Sequence, residues 1–309
     1  FKTVVTLAGL ESGAITPSHT VTCLGSVQLG DARFHCWKKG GHGTLNLHEG
    51  IKNSCDVYFY DVAQRTGVDK IAAMAKRLGL GEKTGIDLPG ERPGIVPSTE
   101  WKRKTMNQPW YPGETLVFGI GQGYMLATPL QLAVMTARIA NGGRAVLPHL
   151  AMDEVRGAEI SQRPRPHFAS LGLPTSAVEE VKRGMYGVVN EPGGTAGRSR
   201  IDDPKFQMAG KTGTSQVRRI GAAERATGVI KNENLEWAQR DHALFISYAP
   251  ADAPRYACVV VVEHGGGGSA VAAPIAKDVL LEVQKRNPTM TDPAKLAEAA
   301  DAPIKRTER

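Results

Sequence analysis

The stretch Phe206-Gln207-Met208-Ala209-Gly210-Lys211-Thr212-Gly213-Thr214-Ser215-Gln216-Val217 decides the fold. It reads as a strand with a glycine at its middle, and such a glycine marks a place where another group approaches the backbone closely. Lys211 beside it offers a cation and Thr212 and Thr214 offer hydroxyls, a combination suited to a carboxylate-bearing ligand. Two more strands follow at short spacing, His242 to Ala249 and the β-branched run Tyr256 to Glu263. Most of the helical patterns lie upstream. Helices first and closely spaced strands afterwards point to an α/β (α+β) domain with an antiparallel sheet flanked by helices, rather than βαβ units.

Composition narrows the class. With 309 residues, 41% hydrophobic and 22% charged, the chain can bury a sizeable core and is not a disordered polymer. A mean hydropathy of −0.25 and the lack of an eighteen-residue apolar run exclude a membrane bundle. The net charge of +7 suits anionic surroundings such as wall polymer or a membrane surface. Aromatic content of 6%, with no clustered basic helix, argues against a nucleic-acid module. The opening Phe1-Lys2-Thr3 has no Met and no signal peptide, and an apolar helical pattern is already running, as inside a longer protein.

Helices are expected over Phe1 to Gly13, Leu47 to Thr66, Lys70 to Leu78, Thr128 to Ala140, Ser176 to Val189 and Ala270 to Gln284. Ile15 to His48 is loop with short strands, Leu88 to Pro112 a long surface excursion, and Thr115 to Gly123 a glycine-rich turn. Ala151 to Pro174 is polar and irregular. Residues 1–285 form one domain, and 286–309 a polar tail containing Pro288, Pro293 and Pro303.

A K-T-G string alone is weak evidence, but it belongs with S-x-x-K and S-x-N in the penicillin-recognising serine enzymes. Ser54-Cys55-Asp56 supplies the second element in S-x-D form, upstream of Lys211 and in the right order. Lys2 fits the lysine of S-x-x-K, which puts the serine three residues before it, outside these 309 residues. Alone, Lys2 is a terminal side chain and Ser54 a helix-capping hydroxyl; their joint order singles them out. Longer strings agree: Trp37 to Gly43, Gly119 to Ala133 (GIGQGYMLATPLQLA), Ala140 to Gly143, Gly193 to Ala196 and Arg240-Asp241-His242. Together these resemble class B penicillin-binding proteins, nearest the elongation-type penicillin-binding protein 2 group, over almost the whole chain to Gln284.

The resemblance implies the penicillin-binding transpeptidase fold, with helices on both faces of the sheet. It also implies a serine D,D-transpeptidase that cross-links peptidoglycan stem peptides during cell elongation and shape maintenance, through an acyl-enzyme, and that is covalently inhibited by β-lactams. Lys2 would be the general base, Ser54 the proton relay and Lys211 its helper. Thr212, Gly213 and Thr214 would bind substrate, with the Thr214 N–H in the oxyanion hole. Asp56 stands where the family has Asn. An ionised carboxylate only accepts hydrogen bonds, so it must take a substrate N–H or pair with a lysine. A serine β-lactamase and a β-lactam-binding sensor share the fold and motifs. Against the first stands the lack of a recognisable deacylating Glu; cross-linking activity would exclude the second. The resemblance further implies an N-terminal membrane anchor on the periplasmic face of the inner membrane, a SEDS-type glycosyltransferase and other elongation-complex partners.

Cysteines carry a second pattern. Cys258 lies in a strand and reads as a small buried hydrophobe, whereas Cys23, Cys36, His42 and Cys55 form C-x12-C-x5-H-x12-C. Three thiolates and an imidazole match a closed structural Zn²⁺ site, without the short C-x2-C of zinc fingers. His42 is preferred to His35 or His48 because Gly41 and Gly43 flank it. A Cys23–Cys36 disulfide is the competing reading.

Overall fold

The computed structural model describes residues 1–151, 153–156, 159–162, 168–218, 220, 221, 224 and 228–287. The first helix, α1 (Lys2–Glu11), is the hub: every residue from Lys2 to Gly9 is buried. Four short strands follow, β1 (Val21–Cys23), β2 (Ser26–Leu29), β3 (Ala32–His35) and β4 (Gly43–Leu45), forming the hairpin β2–β3 and the antiparallel pair β1–β4. Next come α2 (Leu47–Lys52), α3 (Asp56–Thr66), α4 (Val68–Arg77), α5 (Thr99–Met106), α6 (Pro112–Gly119) and α7 (Pro129–Ala140). A small hairpin, β5 (Asp153–Arg156) with β6 (Glu159–Gln162), precedes α8 (Thr175–Asn190). The chain then builds the sheet β7 (Ala209–Ser215), β8 (His242–Ala249) and β9 (Tyr256–Val262), and closes with α9 (Ala273–Arg286).

The sheet is antiparallel in the order β7-β8-β9, with Thr212 opposite Phe245 and Phe245 opposite Val260. Phe245, Ile246, Ser247, Tyr248 and Ala249 are all buried. Neighbouring strand residues point to opposite faces, so both faces of β8 are covered. Helix α8 packs on β7, while α7 and α9 each lie against β8 and β9. On its other flank α8 meets α1 and α2, so the sheet and the helical hub share one core. Among the described residues no helix is long and apolar enough to cross a membrane.

Several expectations need correction. Leu47 to Thr66 is two helices, because the chain turns at Ser54, whose φ is +52°. The apolar series Ile51, Cys55, Phe59 and Val62 is fully buried throughout, so its period runs across the break unaltered and hides it. Thr115 to Gly123 is not a simple turn: Pro112 opens helix α6, and Glu114 Oε2 accepts from the Tyr111 N–H at 2.8 Å. The excursion Leu88 to Pro112 contains α5, capped by Ser98, whose hydroxyl accepts from the Trp101 N–H. That helix sinks Lys102 into the core against Glu114 at 2.5 Å and over the Tyr111 ring. Residues 151 to 174 include the β5–β6 hairpin. Of the tail, 288–309 lie outside the described residues.

Close contact between α2 and α8 depends on Gly184, where a Cβ would lie 2.7–2.8 Å from three atoms of buried Ile51, one of them its branch point. Gly184→Ala should cost about 1–3 kcal/mol by overpacking, exceeding the ~0.5–1 kcal/mol gain in helix propensity. Thermal unfolding checks this: Tm should drop by several degrees, whereas Gly221→Ala, which meets nothing among the described residues, should leave it unchanged.

Candidate active site

Helix α2 begins at a capping box in which Asn46 accepts from Glu49 N–H at 3.0 Å and Glu49 accepts from Asn46 N–H at 3.1 Å. It ends when Cys55 N–H reaches back to Gly50 O at 3.1 Å, and Cys55 starts α3 by accepting from the Tyr58 N–H on Sγ. Between them Ser54 adopts the left-handed region, which costs a non-glycine residue about 1–2 kcal/mol. The cost has identifiable compensation, because the Ser54 carbonyl receives both Lys2 Nζ at 2.7 Å and Trp37 Nε1 at 3.1 Å.

Lys2, one residue into α1, is the meeting point. Its ammonium also donates to Asp56 Oδ1 at 2.7 Å and lies 3.1 Å from Ser54 Oγ. That hydroxyl can accept from a charged Lys2 or donate to a neutral one, as a proton relay requires. The second Asp56 oxygen accepts from Trp37 N–H at 2.9 Å. Both carboxylate oxygens are therefore engaged within the protein, Oδ1 by the lysine pair that the S-x-D spelling allows.

Lys211 lies on β7, 4% exposed, with Nζ bonded to Thr212 O at 3.0 Å and Thr212 Oγ1 at 3.3 Å. Burial pushes its pKa well below the ordinary lysine value; the charge of Lys2 adds to this and Asp56 opposes it. Lys2, Asp56 and Lys211 thus share one electrostatic site, although Lys211 has no hydrogen bond to Ser54 among the described contacts. Thr212 Oγ1 pairs with Thr195 Oγ1 at 2.9 Å, and Ser269 Oγ donates to the Thr195 carbonyl. Thr214 is exposed at the strand end, and Gly213 lies so close to Gly268 that a Cβ on the latter would be 2.4 Å from Gly213 O. Gln122 Nε2 donates to the Thr214 carbonyl; it, Trp37, Thr195 and Ser269 were not singled out by sequence. The first three lie inside strings that carried the resemblance; nothing in the sequence marked Ser269.

Cys23, Cys36, His42 and Cys55 also converge, with one ligand atom from each lying within 4.8 Å of the others. The pairing of Cys23 with Gly43 on β1–β4, the bond from His42 N–H to Cys23 O and that from Cys36 N–H to Gly25 O draw the loop together. Gly41, at φ +75°, is required there, since a Cβ would lie 2.1 Å from Cys23 O. All four cysteines are free thiols. Cys36 Sγ is 3.5 Å from His42 Nδ1, close to the ~3.5–3.8 Å between neighbouring ligands of a tetrahedral ion with Zn–S ≈ 2.3 Å and Zn–N ≈ 2.0 Å. His42 Nε2 is buried without a partner among the described residues. Hydrogen bonding from the Cys55 thiol pushes the Cys36 pKa down, and the same contact with burial pushes Cys55 up. The donor set fits a closed, structural Zn²⁺ site.

Lys211 has a stability consequence. Its folded pKa lies below its unfolded value of about 10.4, so over that interval the unfolded chain binds a proton that the folded chain does not, and stability falls as pH is lowered. Lys211→Met should therefore raise Tm at pH 7 by about 2 °C or more, and the gain should shrink toward pH 10. A variant that melts lower at pH 7, or whose gain does not depend on pH, would show that the burial is compensated in another way.

Known proteins share this architecture. The family model described as the penicillin-binding protein transpeptidase domain matches residues 1–281. A Haemophilus influenzae protein named peptidoglycan D,D-transpeptidase MrdA is 39% identical over 283 residues, covering 90% of this chain and 42% of the relative. Among solved structures, Pseudomonas aeruginosa PBP2 in complex with WCK 5153 matches with TM-score 0.78 and 40% identity over 92% of this chain and 59% of that one. Helicobacter pylori PBP2, solved in complex with MreC, matches with TM-score 0.79 and 34% identity over 92% and 48%. The chain spans 42% of the length of the curated relative. With motifs, fold and match in one register, the chain belongs to the penicillin-binding protein transpeptidase domain family.

Proposed function

We propose that this domain carries out the acyl transfer of a peptidoglycan D,D-transpeptidase in cell elongation and shape maintenance. The convergence of Lys2, Ser54 and Lys211 beside the Thr212-Gly213-Thr214 strand carries this reading. Relatives named as D,D-transpeptidases support it.

The nucleophile is the serine that S-x-x-K places three residues before Lys2, on the same helical face. In its neutral form, Lys2 takes the serine's hydroxyl proton as the oxygen attacks the penultimate D-Ala carbonyl of a stem peptide. The Thr214 N–H and that of the serine stabilise the resulting oxyanion. Collapse breaks the peptide bond, and the departing D-Ala amine receives a proton through Ser54, 3.1 Å from Lys2 Nζ. An amine of a neighbouring stem peptide then attacks the acyl-enzyme, loses its proton along the same route and restores the serine. Lys211, buried and therefore reluctant to hold its charge, tunes the relay, while the Thr212 and Thr214 hydroxyls hold the substrate carboxylate. β-Lactams enter by the same attack and remain bound.

Cys23, Cys36, His42 and Cys55 would hold Zn²⁺, which supplies a structural crosslink and no reaction step. Since Cys55 stands between Ser54 and Asp56 and caps α3, the metal loop sets the angle at which both face Lys2. In the whole protein, a membrane anchor would hold the domain at the periplasmic face of the inner membrane, beside a SEDS-type glycosyltransferase and elongation-complex partners. The Helicobacter pylori relative's complex with MreC is in keeping with that setting.

Intact mass of the full-length protein after treatment with a labelled penicillin should show one slowly released adduct, and the Lys2→Met variant should form it at least about a hundredfold more slowly. Rapid release would favour a β-lactamase, and an adduct without cross-linking of stem peptides a sensor. Removing the metal by chelation should lower the acylation rate and Tm together. Unchanged acylation in metal-free protein would contradict the role of the loop.

A further inference from the structure

Beyond the end of α6, Gln122 reaches across to the sheet, and its Nε2 donates to the Thr214 carbonyl at 2.9 Å. Strand β7 is an edge: β8 pairs with one side, and no described strand pairs with the other. Backbone groups of alternate strand residues face alternate edges. The Thr212 carbonyl takes Lys211 Nζ and the Thr214 carbonyl takes Gln122, so residues 212 and 214 face the unpaired edge. An extended peptide adds to such an edge through its own main-chain amides.

The carboxamide of Gln122 has the donor chemistry of a peptide group, and it sits on the acceptor that an added peptide must reach. Its backbone is fixed: Gln122 N–H bonds Val117 O at 3.1 Å, Gly121 N–H bonds Phe118 O at 2.8 Å, and a Cβ on Gly121 would lie 2.6 Å from Phe1 Cβ. The side chain is half-buried, and the contact with Thr214 is the only hydrogen bond of its Nε2 among the described residues. An anchored loop with a side chain held at one point is suited to reversible displacement.

We propose that Gln122 is a displaceable gate: its carboxamide holds the Thr214 acceptor until the amide of the acyl-donor peptide takes it. Binding exchanges one hydrogen bond for another, so the gate weakens the first complex without touching the reacting atoms. The proposal rests on the transpeptidase reading of the same site. A brace would have the opposite signature, since removing it would loosen β7 and slow the chemistry.

Rapid-mixing acylation of the full-length protein by a reporter penicillin with an acylamino side chain separates the dissociation constant of the first complex from the limiting acylation rate. Gln122→Ala and the shape-matched Gln122→Met should both lower that dissociation constant about two- to tenfold, the worth of one net hydrogen bond of this kind. The limiting rate and Tm should stay as in the wild type. A weaker first complex, a slower limiting rate or a lower Tm in either variant would make Gln122 a brace, and any of these results, or an unchanged first complex, rejects the gate. A wild-type protein that is never acylated would overturn the transpeptidase reading and the gate together, whereas normal wild-type acylation without tightening in the variants rejects the gate alone.

Discussion

A lysine ammonium buried in the first turn of the central helix must be paired, and Lys2 obtains its partners from a single break in another helix. Ser54 supplies a carbonyl at 2.7 Å and a hydroxyl at 3.1 Å, and Asp56 supplies a carboxylate at 2.7 Å. Leaving such a charge without its partner costs several kcal/mol, more than the left-handed turn at Ser54. The break between α2 and α3 is thus part of the charge pairing. Everything that fixes the break also fixes the site: the Asn46–Glu49 box at one end of α2, the Cys55 cap of α3, and Trp37, which binds the Asn53 and Ser54 carbonyls and Asp56 at once.

Cys55 joins this arrangement to the thiol and imidazole cluster. One residue caps α3, lies beside both oxygen-bearing residues that face Lys2, and belongs to the four-ligand set. The cluster is assembled by short strands that have little core of their own, a setting in which a crosslink contributes most. The sheet is tied to this arrangement by α8, packed between β7 and the helical hub. The site therefore lies where sheet and hub meet, and Lys211 feels the charge of Lys2 across that junction.

What was legible in the sequence followed how each signal is encoded. Strands β8 and β9 and helices α1, α4, α7, α8 and α9 announced themselves through burial period and caps such as Thr128 with Pro129. Ser54 was identifiable by motif order, but its left-handed backbone was not, because the apolar series Ile51, Cys55, Phe59 and Val62 continues as though the helix were unbroken. Helix α6 was concealed by the glycines that follow it, although Pro112 and Glu114 are its start signals. The engagement of Asp56 with Lys2 and Trp37 depends on residues 54 and 19 positions away, which local pattern does not report. Ser269 lies beyond any motif and reaches the site through its bond to the Thr195 carbonyl.

The dependence of the site on the Lys2–Asp56 pair is read most directly from a double-mutant cycle, with Lys2→Met, Asp56→Asn and the double variant compared in the unfolding free energy of the transpeptidase domain. Because each partner leaves the other buried and uncompensated, the two changes should couple by about 1–3 kcal/mol, with the double variant far less damaged than the sum of the singles. Effects that add to within about 0.5 kcal/mol would show that Lys2 and Asp56 are held independently and that the break at Ser54 has another cause.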